Sequence, residues 1–279
     1  MHLGQIKPNG GVIAAVFEGG SARPIPSHTM VDLICRAEAE GVALGELASH
    51  LASRQPVNQP PVLPIHPREV WACGQTYETA AARDSGSGAG TDMYGYVYQH
   101  ERPEVYFKGT ARMCVGPGRA VGMRADSKLT VPEPELAVVL GSRGRIVGYT
   151  LANDVSARDI ERENPLYLVQ ARAYQYSCAL GPVLVTADQL AEPYRLQMTC
   201  SIVRDGEVVY SGAVSTASLH RRLEVLIAYV LRSNPVPAGS VLLTGTGIMV
   251  PDTAALRLGD RITIRIPEIG ELSNPVAVV

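Results

Sequence analysis

Lysine is nearly missing from this chain of 279 residues: only Lys7, Lys108 and Lys128 stand against 22 arginines. A Schiff-base nucleophile therefore has few candidates. The five cysteines, Cys35, Cys73, Cys114, Cys178 and Cys200, are odd in number and scattered, with no C-x-x-C pair and no neighbouring histidine ladder. That argues against a disulfide framework and against structural zinc. No apolar run approaches the ~20 residues of a membrane span, and the opening MHLGQIKPNG has no apolar core of a signal peptide. A cytoplasmic protein is the expectation. Charge of one sign is lacking too: the formal net charge of −2 gives no basic field for nucleic acid or an anionic membrane. What remains is 46% hydrophobic and 19% charged, the composition of a soluble globular protein working on small molecules. The length suits one large catalytic domain with a small accessory one.

Residues 1 to about 60 read as that small unit. Gly11 to Glu18 is a strand, and Thr29 to Glu40 a helix with Thr29 and Asp32 as a cap pair and Gly41 as its stop. A second short helix carries Leu44, Leu47, Ala48 and Leu51 on one stripe. The proline-rich QPVNQPPVLPIHP, Gln55 to Pro67, reads as a linker. From Val70 strands and loops take over, including a Gly/Ser/Ala-rich stretch from Gly74 to Gly90 that suits either a flap or an ordinary surface loop. Ser218 to Arg232 has the spacing of a core-packing helix, and Gly239 to Leu243 is a buried strand leading into Thr244-Gly245-Thr246-Gly247. With no lysine after it, that loop is not a P-loop, but its backbone can approach a ligand closely.

The richest stretch is VPEPELAVVLGSRGRIVGYTLANDVSARDIEREN, Val131 to Asn164. Residues two apart on a strand share a face, so Glu133 and Glu135 project together while Pro134 points away and keeps that end at a sheet edge. Gly141-Ser142-Arg143-Gly144 reads as a turn and Ile146 to Ala152 as the returning strand. Centred near Arg143, an antiparallel register has partners summing to about 286, which sets Asp154 opposite roughly residue 132. Three carboxylates so close repel one another unless protons or a cation neutralise them. An all-oxygen set suits Mg²⁺, Mn²⁺ or Ca²⁺. The plainer alternative is a solvated strand face, with Asp154 merely capping the next helix.

With this triad, the TGTG loop and the ending LRLGDRITI, the chain resembles the fumarylacetoacetate hydrolase superfamily over roughly residues 66–279. The segments RPEVYFKGT, VPEPEL, NDVSARDIERENPLYL and SCALGP are similar to its 2-keto-3-deoxy-pentonate dehydratase branch. The resemblance implies an α+β, β-rich fold: a β-roll catalytic domain with a small N-terminal α/β domain, in a homodimer or a dimer of dimers. It implies that Glu133, Glu135 and Asp154 are metal ligands, that Glu104 works on substrate protons, and that Lys108, Thr246 and Gly245 contact a 2-oxo acid substrate. The cationic catalytic residue maps to Arg172, where the family carries lysine. A guanidinium stays protonated, so it can clamp an anion but donates a proton poorly.

The implied reaction is dehydration of a 2-keto-3-deoxy sugar acid, with Glu104 removing the C3 proton to give a metal-stabilised enolate and the C4 hydroxyl leaving as water. The alternatives are C–C bond hydrolysis of an acylpyruvate-like diketo acid, for which His100 beside Glu101 is the nearest base pair, oxaloacetate-type decarboxylation, and non-catalytic 2-oxo acid binding.

Overall fold

The computed structural model describes residues 1–79 and 93–279. Most of the Gly74 to Gly90 stretch lies outside these residues. Ten strands form one sheet, in the spatial order Ser21–Ile25, Ile13–Glu18, His2–Ile6, Cys178–Thr186, Ile146–Asp154, Pro134–Leu140, Ser240–Leu243, Val70–Gly74 and Glu104–Gly109, with Cys114–Val115 alongside Cys178–Thr186. A second sheet of five runs Glu207–Ser215, Gln197–Arg204, Arg261–Ile266, Gly270–Val278 and Val121–Met123.

The strand Pro134–Leu140 is central, and it shows why its sequence is apolar without alternation. Leu136, Val138 and Leu140 face one core, shared with Met198, Ile202 and Ile264 of the second sheet and Leu226 of helix Leu223–Leu231. Ala137 and Val139 face another, shared with Leu33, Ile34 and Ala37 of helix Met30–Glu40 and with Leu47 of helix Leu44–Leu51. A strand covered on both faces needs apolar residues at every position.

Local signals landed close to their elements. Helix Met30–Glu40 begins with the reciprocal Thr29–Asp32 capping box and ends at Gly41, whose φ of 69° is the left-handed conformation that glycine adopts without strain. The second helix spans Leu44–Leu51 as expected. The later helix is shorter than the expected Ser218 to Arg232: a 3-10 turn capped by Ser215 occupies Thr216–Ser218, and the α-helix proper is Leu223–Leu231.

The N-terminal segment has no sheet of its own. His2–Ile6 pairs antiparallel with Cys178–Thr186, so the boundary expected near residue 60 runs through a continuous sheet and a shared core. The Gln55 to Pro67 linker is also tied down: Val57 bridges Ala22, and Gln5 Nε2 donates to the Leu63 carbonyl at 2.8 Å. Pro134 does keep its end of the strand at an edge: Pro134–Leu140 lies between two neighbours, but Ser240–Leu243 pairs only with Ala137 to Leu140 and has ended before reaching the proline.

Candidate metal centre and active site

The hairpin that carries the three acids departs from simple register in one place, and that departure assembles the site. Ile146 faces Leu140, a pair summing to 286, but a bulge at Val147 shifts the ladder, so Gly148 faces Val139 and Asn153 faces Pro134, pairs summing to 287. The ladder continues as the Asp154 N–H donates to the Glu133 carbonyl at 2.9 Å. Cross-strand partners share a face, so Asp154 joins Glu133 and Glu135. Under an unbroken 286 register it would have paired with residue 132 and pointed to the opposite side. The three carboxylates each place an oxygen within 4.8 Å of the others.

Each ligand candidate is held from behind. Asp154, fully buried, receives the Tyr106 hydroxyl at 2.6 Å on Oδ2 and the Lys108 ammonium at 2.5 Å on Oδ1. Lys108 has no solvent exposure, and it also donates to the Val155 carbonyl at 3.1 Å and to the Arg172 carbonyl. Glu135 accepts the Gly245 N–H at 2.5 Å. Gly245 sits at φ 91°, and a Cβ there would collide with the Thr76 side chain, so only glycine brings this N–H so close.

Arg172 closes the other side. Its Nε and Nη2 grip Glu161 at 2.8 and 3.2 Å. Its Nη1 donates to Glu133 Oε2 and to Ser156 Oγ, both at 2.5 Å. Burial works against its charge, but Glu133 and Glu161 outweigh that and hold the guanidinium protonated even more firmly than usual. Arg158 adds a longer contact to Glu133, 3.9 Å, while it and Arg162 share Asp252.

Glu104 stands apart from these pairings on the same cavity wall. It faces Gly74 across the strand pair, and a Cβ at Gly74 would overlap its carboxylate, so glycine makes the room it occupies. Burial first, then the neighbouring charge of Glu161, pushes its pKa up to about 7, against the lowering effect of Arg172. A carboxylate poised there can take and return protons near neutral pH.

The donor set fits a hard divalent cation. Burial, and then Asp154 and Glu133, raise Glu135 well above the ordinary carboxylate range; burial raises Glu133 as well. Among the described residues Glu104, Glu133, Glu135 and Glu161 line the cavity with Arg158, Arg162 and Arg172, and the oxygen-only donors of the triad suit Mg²⁺, Mn²⁺ or Ca²⁺.

Comparison with known proteins agrees with this geometry. Residues 70–277 match the fumarylacetoacetate hydrolase C-terminal family. The chain belongs to the fumarylacetoacetate hydrolase family. It is 48% identical over 217 residues, 76% of this chain and 73% of the relative, to the 2-dehydro-3-deoxy-D-arabinonate dehydratase of Saccharolobus solfataricus. It is 45% identical over 223 residues, 80% of this chain and 77% of the relative, to a probable 2-keto-3-deoxyxylonate dehydratase of Haloferax volcanii. A solved 2-keto-3-deoxy-D-arabinonate dehydratase complexed with magnesium and 2,5-dioxopentanoate superposes with a TM-score of 0.85 at 38% identity, covering 100% of this chain and 99% of that one. The β-rich α+β fold is thus that of the fumarylacetoacetate hydrolases.

Within this family member, Glu104, Glu133, Glu135, Arg172 and Thr246 meet at one cavity, with Asp154 beside Glu133 and Glu135. Lys108 and Gly245 come to the site in different roles. Lys108 does not line the cavity but lies behind Asp154, and Gly245 serves Glu135. His100 and Glu101 do not form a dyad: His100 stacks on Tyr96 with ring centroids 4.8 Å apart, and Glu101 accepts the Tyr229 hydroxyl at 3.1 Å. Sequence reasoning missed Glu161, Tyr106, Ser156 and Arg158. Glu161 carries one usable signal: it falls in Arg158–Glu163, the short helix directly after the metal strand.

Proposed function

We propose that this protein is a Mg²⁺-dependent hydro-lyase that dehydrates a 2-keto-3-deoxy sugar acid. The observation that carries the reading is the single cavity in which the Glu133–Glu135–Asp154 triad faces Glu104 and a fixed guanidinium. The similarity to two dehydratases and to a magnesium-bearing dehydratase structure supports it.

When bound at the triad, the divalent cation supplies Lewis-acid polarisation of the carboxylate and keto oxygens of a 2-oxo acid, which makes the C3 proton acidic. The chain's own residues do the rest. Glu104, as carboxylate, takes the C3 proton. The C4–O bond then breaks with its electron pair, and the departing oxygen needs a proton to leave as water. Arg172 cannot release one. Glu104, now protonated, returns it and is restored as carboxylate. Arg172, clamped by Glu161, contributes a fixed positive charge beside the developing anion.

The test is a panel of 2-keto-3-deoxy acids and acylpyruvates incubated with Mg²⁺ and followed by mass spectrometry. Dehydration appears as loss of one water. Cleavage to two smaller acids would instead mark a C–C hydrolase, a chemistry for which His100 and Glu101 form no base pair. Recovery of every substrate intact would leave only a binding protein.

The family resemblance also carries a cytoplasmic homodimer or dimer of dimers. Leu166 and Val169, 86% and 61% exposed, are apolar surface that a second copy would cover. Sedimentation of the protein as a monomer would refute the assembly.

A further inference from the structure

The metal cavity is small. Its free volume is about 50 Å³, and at roughly 10–15 Å³ per water-sized occupant it takes only a few heavy atoms. That accommodates the carboxylate and keto head of a 2-oxo acid and leaves the rest of the chain to be placed elsewhere.

A second cavity of about 420 Å³ opens from the first, sharing Tyr94, Glu104 and Glu161 as common wall. Among the described residues, Val97, Pro103, Pro165 and Leu168 line it beyond those three, together with Met93, Tyr96, His100 and Arg102. Its cationic members are turned to rings: His100 stacks on Tyr96, and the Arg102 guanidinium lies over the Tyr229 ring at 5.5 Å. The wall carrying Tyr94 and Val97, helix Met93–Gln99, is anchored from outside. Arg221 donates to the Val97 and Tyr98 carbonyls at 2.9 and 3.0 Å, and Tyr98 stacks on His220 at 4.3 Å. The annex is therefore a largely apolar compartment that adjoins the metal cavity at Glu104.

We propose that this annex is the subsite for the distal carbons of the substrate, and that it selects a 2-keto-3-deoxy acid ending in a methyl or longer alkyl group over one ending in hydroxymethyl. The preference for such substrates rests on the dehydratase reading; the annex itself rests on the cavity. A terminal hydroxyl placed among Val97, Pro165 and Leu168 exchanges water for apolar carbon, whereas a methyl group gains by leaving water.

Two measurements test this on the Mg²⁺-loaded full chain. The first is calorimetric binding of pyruvate, 2-oxobutanoate, 2-oxopentanoate and 2-oxohexanoate, which needs no turnover. Affinity rises about threefold to fourfold per added methylene once the chain enters the annex, and the slope flattens in Leu168→Asn or, if that variant does not fold, in Val97→Asn. The second compares kcat/KM for a 2-keto-3,6-dideoxyhexonate with that for the corresponding 2-keto-3-deoxyhexonate; the methyl-terminated acid is favoured by about 10-fold to 100-fold. A flat binding series, or a slope that survives both variants, overturns the annex. A rising series with equal turnover of the two hexonates overturns the selection. A rising series without dehydration of any acid keeps the annex and removes the dehydratase reading.

Discussion

Replacing Gly74 with alanine adds one methyl group and tests the placement of the proposed base. Gly74 ends the strand Val70–Gly74, opposite Glu104, at an ordinary extended backbone that alanine can adopt. The new Cβ would lie 2.6 Å from Glu104 Cδ, whereas carbon atoms settle at about 3.5 Å or more. The carboxylate must therefore retreat by about 1 Å, which a flexible side chain can do at little cost in folding energy. Catalysis is less tolerant, because a 1 Å misplacement costs on the order of 100-fold, or about 2.7 kcal/mol of barrier. We expect kcat/KM for dehydration to fall about 100-fold, thermal unfolding to stay put or rise slightly through the lost chain entropy of glycine, and Mg²⁺ affinity by calorimetry to hold. Turnover within about threefold of the parent would refute the placement of Glu104 as base. Loss of Mg²⁺ binding along with activity would show that the methyl group disturbs the triad instead.

Other consequences follow from the same geometry. Glu135→Gln should weaken Mg²⁺ binding by more than the 10-fold to 100-fold that outer-shell changes produce; unchanged affinity in calorimetry would mean that the triad is not the metal site. Because Glu104 works as carboxylate and its pKa is pushed up to about 7, kcat/KM should climb tenfold per pH unit on the acid side and level above that point, and a flat profile there would exclude it as base. Lys108→Met leaves Asp154 buried without its ammonium partner, so denaturant unfolding of the metal-free protein should show a loss of about 3–5 kcal/mol. Saturating Mg²⁺ should recover part of it by restoring positive charge beside Asp154, and a loss under about 1 kcal/mol would contradict the pairing.

What could be seen in the sequence was local. The capping pair Thr29 and Asp32, the stop at Gly41, the leucine stripes and the Glu133-x-Glu135 spacing each depend on residues a few positions apart, and each has its counterpart in the structure. Pairings across the chain were less legible. Nothing in His2–Ile6 announces that its partner is Cys178–Thr186, because a short apolar strand accepts many neighbours until tertiary packing chooses one. The bulge at Val147 is intermediate. Gly148 was visible as an isolated glycine within a strand, a known mark of a bulge or a close approach, and a Cβ there would run into Leu184 and the Val185 carbonyl. The bulge beside that glycine moves Asp154 from beside residue 132 to beside Glu133.

The two cations nearest the triad explain why an arginine is workable where the family carries lysine. Lys108 already supplies the buried point charge: it neutralises Asp154 from behind, out of reach of the cavity. A guanidinium at position 172 can divide its donors, one edge held bidentately by Glu161 and the remaining nitrogen presented to Glu133 and Ser156. A lysine ammonium has no such fork, so Glu161 could not fix its direction in the same way. The arrangement exchanges a titratable cation for an oriented one. Proton traffic then falls to Glu104, which lies in the space that Gly74 leaves open. On this account Glu161 and Arg172 work as a unit, and a change at either position alters the charge that the other presents to the cavity.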